Sequence, residues 1–204
     1  MRLEGTPAMG RRIARNLGVE VAIALLALTG LVASCSFPSA DARYVQTVLP
    51  HEATFPPVAE LLSVRCGSID CHGSPYRNLR VYGSTGLRYL PTDRPLSPLC
   101  NTCEENEQTY LSVVGLQPEA MSEVVMGADP SILTMVGKAR GTEAHKGGQI
   151  WSLGDASDVC LTSWLQGEPN PSDCENGVRG ALSQANPSGN DPLLACFDSP
   201  CPSR

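Results

Sequence analysis

The run Cys66-Gly67-Ser68-Ile69-Asp70-Cys71-His72-Gly73 holds two thiols, the second of them directly before a histidine. That chemistry holds a c-type haem: the thiols form thioethers to the vinyl groups, and the imidazole ligates iron from one face. The usual spacing leaves two residues between the cysteines, and this chain has four. With nine cysteines and three histidines in 204 residues, a Cys-His step arises by chance about one time in eight. Cys196-Phe197-Asp198-Ser199-Pro200-Cys201 repeats the spacing without a histidine, so a local disulfide is a second reading of Cys66 and Cys71. A third is zinc, with Cys100 and Cys103 as the other cysteine pair. The three readings rank in that order, because thiols of an exported chain oxidise or take up haem.

Export is read from the N-terminus. Arg11, Arg12 and Arg15 form a positive region, and Val21 to Val32 is apolar except for Thr29 and Gly30. The run is short for a spanning helix. It ends in Val32-Ala33-Ser34-Cys35, small residues before a cysteine, as at a signal-peptide cleavage site. This segment resembles the lipobox of bacterial lipoproteins, which implies cleavage before Cys35, lipidation of its thiol and attachment to a membrane. An ordinary signal peptide or a membrane anchor is the plainer reading. Arg11-Arg12 fits the twin-arginine export motif poorly.

The expected organisation is a signal peptide over 1–34, a tether over 35–43, a folded domain over 44–167 and a loop-like Cys/Pro/Gly-rich tail over 168–204. Residues 1–34 carry four Arg and two Glu, so the formal charge of −6 becomes −8 when they are removed. Such an acidic chain does not suggest a nucleic-acid partner. Lipid on Cys35 and haem on Cys66 and Cys71 leave six cysteines, the even number that three disulfides require. Cys196 with Cys201 is the first pairing expected, and Cys160 with Cys174 the second.

The fold class expected is mainly α, with short helices and long connections. Helices are predicted over Pro57–Arg65, from Cys103 behind a Thr102 cap, over Pro118–Met126, from Asp129-Pro130 with Ile132, Leu133 and Val136 inward, and over Asp155–Leu165. The alternation Leu79-Arg80-Val81-Tyr82 suggests a small hairpin between Arg77 and Tyr89. Ten aromatic residues in the chain, three of them Phe, leave room for a large apolar cofactor in the core.

Residues 55–167 resemble the small cytochrome c-like domains of planctomycete-type envelope proteins. The matching features are the helix into Cys66…Cys71-His72-Gly73, then Leu79-Arg80-Val81, Asp129-Pro130-Ser131-Ile132-Leu133, His145-Lys146-Gly147-Gly148, and a last helix containing Trp164. The resemblance implies one covalent haem c on Cys66 and Cys71, with His72 as proximal ligand and His145 as distal ligand. Met121, Met126 and Met135 are the alternatives to His145, each otherwise a core methionine. His51 reads as a surface residue. Arg65, Arg77, Arg80, Arg88 and Arg94 suit haem propionates, an acidic partner or a solvated face. No nucleophile and base stand out, so catalysis is not expected. The implied role is electron transfer with a redox partner in the cell envelope, facing the periplasm or exterior, with the outer membrane favoured over the inner. The alternative is a haem-free, disulfide-stapled lipoprotein with a structural or partner-binding role.

Overall fold

Pro56 and Pro57 open the first helix, α1 (Pro56–Cys66), where a missing N–H costs nothing because the first turn has no internal acceptor for it. The computed structural model describes residues 46–89, 100–185 and 196–197. All belong to the unit Gln46–Arg204, and Cys35, Arg94 and Cys201 lie outside the described residues. Val58, Ala59, Glu60, Leu61, Leu62 and Ser63 are all buried, so α1 is enclosed on more than one face. It is the central element, packed on α2 (Cys103–Val114), α5 (Ala156–Leu165) and α6 (Pro171–Ala185).

Capping residues fix the starts of the other helices. Thr102 accepts from the Glu105 N–H, and the Glu105 carboxylate accepts from the Thr102 N–H, a reciprocal capping box at α2. Pro118 begins α3 (Pro118–Val125), and the Asp155 side chain caps α5. Between them, a 3-10 turn over Pro130–Ile132 leads into α4 (Thr134–Arg140), which Gly141 ends at φ +74°, a left-handed position that favours glycine. The described residues are therefore mainly helical, with six α-helices and no strand. None of these helices is long and apolar enough to cross a membrane.

The core is aliphatic around three aromatic rings. Trp164 meets Phe55 at 4.7 Å and Tyr110 at 6.2 Å between centroids. Both polar tips reach the segment before α1: the Trp164 indole N–H donates to the His51 carbonyl, and the Tyr110 hydroxyl to that of Pro50. The His51 side chain is exposed, as expected for a surface residue.

Four expectations need correction. The tail is not all loop, because α6 occupies Pro171–Ala185. Its Gly, Asn and Ser content argues against a helix, but Cys174, Val178 and Leu182 recur every fourth residue and pack on the core, which outweighs propensity. Gly177 permits that packing, since a Cβ there would lie 2.8 Å from Ser157 Oγ and 3.0 Å from Leu61 Cδ1. The hairpin does not form. The Arg80, Val81 and Tyr82 N–H groups go instead to Ser112 Oγ, the His72 carbonyl and Thr109 Oγ1. Ile132 points outward, whereas Leu133 and Val136 are buried as expected. Finally, Cys196 pairs with Cys100, tying the tail to the start of α2 rather than to Cys201. Cys160 with Cys174 forms as anticipated and joins α5 to α6. Cys103 is also disulfide-bonded.

Candidate functional site

α1 ends by delivering Cys66 to the wall of a cleft. The chain then turns back on itself: the His72 N–H donates to the Cys66 carbonyl at 2.9 Å, and the Cys71 and Gly73 N–H groups both donate to Ser68 O. The turn is tight enough to require glycine. A Cβ on Gly73 would sit 1.8 Å from the Gly67 carbonyl oxygen, and one on Gly86 would sit 2.0 Å from the same atom. Arg77 staples the long Cys-Cys spacer from outside, its guanidinium donating to the carbonyls of Cys71 and Asp70 at 3.0 Å each. Cys66 and Cys71 are the free thiols of the described residues. Cys66 is largely shielded, and burial, reinforced by Cys71 and opposed by Arg65, pushes its pKa up to about 12. Cys71 is exposed.

His72 and His145 arrive from different parts of the chain and meet. Their ring centroids are 5.9 Å apart and their planes 16° from parallel. His72 Nδ1 lies 3.1 Å from the Leu79 carbonyl and His145 Nδ1 3.2 Å from the Gly148 carbonyl. A carbonyl only accepts, so each Nδ1 carries a proton, and Nε2 is the ring nitrogen left to face another partner. Burial lowers the His72 pKa; the nearby His145, Arg77 and Lys138 act in the same direction and the Leu79 hydrogen bond against it.

The segment carrying His145 is anchored at both ends. The Arg140 guanidinium at the end of α4 grips the Asp158 carboxylate of α5 at 2.7 and 2.9 Å. The Ile150 N–H donates to the Ala139 carbonyl at 2.9 Å. Gly147 lets the backbone pass the imidazole, since a Cβ there would lie 3.1 Å from His145 Cε1.

Both histidines and both free thiols line one cleft of about 830 Å³. Its apolar wall includes Leu62, Leu116, Ile150, Trp151 and Leu161, and its charged lining is Arg77, Lys138, Lys146 and Asp70. The three methionines separate clearly. Met135 lines the cleft, Met121 is in the core, and Met126 is 69% exposed. The arginines close in sequence to the motif scatter: Arg65 donates to the Gly177 carbonyl, Arg88 pairs with Glu105, Arg80 is exposed, and Arg77 reaches the cleft. A four-cysteine zinc site does not form, because Cys100 and Cys103 are committed to disulfides. No group of three or more His, Cys, Asp or Glu side chains suited to a metal ion occurs among the described residues.

Sequence reasoning missed Arg77 as a staple, Lys138 on the wall and the Arg140–Asp158 clamp. The first two donate to, or face, groups whose position depends on the folded backbone, and no sequence spacing signals them. An Arg and an Asp flanking the His145 segment were the one readable hint of the clamp. No protein-family model, curated protein or solved structure matches the chain.

Proposed function

We propose that this chain is a monohaem c-type cytochrome that transfers single electrons in the cell envelope, held to a membrane through a lipid on Cys35. The observation that carries the reading is the pairing of His72 with His145 at the cleft that also holds the two free thiols. Their ring centroids lie 5.9 Å apart, so one bound group would meet both imidazoles. The carbonyl on each Nδ1 is the kind of outer contact that fixes ligand tautomer and ring orientation. The cleft volume falls within the range of about 300–1,000 Å³ typical of cofactor pockets.

In this reading Cys66 and Cys71 would carry the thioethers, and His72 and His145 would hold the iron. Met135 is the remaining alternative on the cleft wall. Haem c, when bound, supplies a one-electron iron couple whose potential follows from its axial ligands and burial. The protein's own part is to hold two imidazoles in place, to keep water off the apolar wall, and to anchor the group covalently. The partner is a one-electron redox protein of the envelope, and no bond-making chemistry is assigned to the chain.

The test is a spectrum of protein matured alongside an intact cytochrome c assembly system. A red protein with a c-type spectrum that keeps its colour through acid-acetone extraction supports the reading. A colourless protein, or haem that extracts completely, overturns it and leaves the disulfide-stapled lipoprotein.

A further inference from the structure

The two cleft thiols are held in different ways. Cys66 is the last residue of α1, so a buried helix fixes its place. Cys71 is exposed and follows a bulge of four residues. The bulge gains little from packing: Ser68, Ile69 and Asp70 are exposed, Ile69 at 71%. Two residues more than the usual spacing add backbone freedom that must be frozen if Cys71 is to keep one position. Hydrogen bonds do that freezing. Inside the bulge the Cys71 N–H donates to Ser68 O at 2.9 Å. From outside, the Arg77 guanidinium donates to the carbonyls of Asp70 and Cys71 at 3.0 Å each. Arg77 also lines the cleft, and its charge acts on the His72 imidazole. These contacts are local, with Arg77 reaching back six and seven residues. The turn can therefore close before the segment carrying His145 arrives.

We propose that Arg77 is a positioning residue for covalent attachment: by holding the Asp70 and Cys71 carbonyls it aims the Cys71 thiol, and so makes the longer spacer usable. The inference rests on the haem reading above. Attachment is an addition. Each thiol adds across one vinyl double bond of a haem delivered by the assembly system. Sulfur bonds to one vinyl carbon, the thiol hydrogen goes to the other, and the double bond becomes single. The electron count does not change, so no oxidant or reductant enters the step. Arg77 contributes no atom to the bonds made or broken. Its part is the conformation of the chain that carries the sulfur.

The asymmetry between the thiols sets the expected effect. Without Arg77, Cys66 keeps its place at the end of α1 while Cys71 is released with the bulge. Two charge-assisted hydrogen bonds at exposed carbonyls favour the closed turn by about tenfold. Lysine keeps the positive charge but lacks the fixed fork that spans both carbonyls.

The test uses full-length protein matured alongside an intact cytochrome c assembly system. Alkylation of the denatured holoprotein, followed by mass spectrometry, counts the thioethers and shows which cysteine is free. In Arg77→Gln the ratio of chains with haem on Cys66 alone to chains attached at both sulfurs should rise about tenfold. The pyridine haemochrome band should move to longer wavelength in step, because one vinyl group remains. Arg77→Lys should fall between Arg77→Gln and wild type. With Ile69 and Asp70 deleted, the cysteines stand at the usual spacing, and Arg77→Gln should no longer change the ratio. A role in general stability would instead lower both thioethers together, and that outcome overturns the proposal. An unchanged ratio in Arg77→Gln, or an equal rise in the shortened chain, overturns it too. Each of these leaves the haem reading intact, whereas a wild type that takes up no haem overturns both.

Discussion

Replacing Asp158 by Asn tests whether the clamp at the base of the His145 segment is a structural necessity. Asp158 is 2% exposed and receives both arms of the Arg140 guanidinium together with the Gly154 N–H at 2.9 Å. Asn keeps the shape and one acceptor oxygen but removes the negative charge, stranding a guanidinium whose side chain is 11% exposed. Removing one partner of a buried pair typically costs about 3–5 kcal/mol, and the retained oxygen places this variant near the lower end, about 3 kcal/mol. Urea unfolding read by circular dichroism should show a lower midpoint with an unchanged slope. Arg140→Met in the Asp158→Asn background should recover part of the loss, because the stranded charge is gone. On the haem reading proposed above, the spectrum should also become more heterogeneous, since Arg140 and Asp158 close the segment that carries His145. A single variant within about 1 kcal/mol of wild type, or no coupling between the two positions, would refute the clamp.

Three further outcomes follow from the same geometry. If the proposed haem is bound, His145→Ala should convert a low-spin spectrum to high-spin with the haem still attached, whereas Met135→Leu should leave it unchanged; the reverse pattern assigns the position to Met135. Cys160→Ala with Cys174→Ala opens a bridge of sequence separation 14 and should cost about 3 kcal/mol in a denaturant titration, with no loss refuting its structural role. Glu60 binds its proton more tightly folded than unfolded, its pKa rising from 4.5 to about 7, so its contribution to stability is intact below pH 4.5, declines as pH rises to about 7 and then stays lost. Glu60→Gln should therefore gain on wild type across that window by about 3 kcal/mol, and parallel stability–pH curves would count against it.

Local chemistry was legible in the sequence and distant pairing was not. The start of α2 could be read from Thr102 and Glu105 because a capping box is complete within four residues. Pro57 and Pro118 marked two more starts for the same reason. α6 escaped notice because its helicity comes from what Cys174, Val178 and Leu182 touch, not from its own composition. The disulfides divide along the same line. Cys160 and Cys174 are close in the chain, whereas Cys100 and Cys196 lie 96 residues apart and nothing in their spacing joins them. Leu79-Arg80-Val81-Tyr82 alternates as a strand does, yet its N–H groups found Ser112, His72 and Thr109 before any second strand. Alternation reports which side chains are buried, and leaves open what the backbone bonds to.

On the haem reading, the four-residue spacer between Cys66 and Cys71 departs from the common spacing, and the turn itself absorbs the difference. What an attachment site needs is both thiols and the imidazole at one mouth, and the contour length between the thiols matters only through the loop that closes them. Here the loop is closed by the His72 N–H on the Cys66 carbonyl, independent of how many residues bulge between. The bulge is then made rigid: Ser68 O accepts twice inside it, and Arg77 holds the Asp70 and Cys71 carbonyls from outside. Gly73 and Gly86 press against the Gly67 carbonyl, where no side chain fits, so the closure depends on both glycines. The glycine after the histidine therefore has a steric reason of its own, and the longer spacer is a constrained turn whose geometry brings Cys66 and His72 to the same cleft.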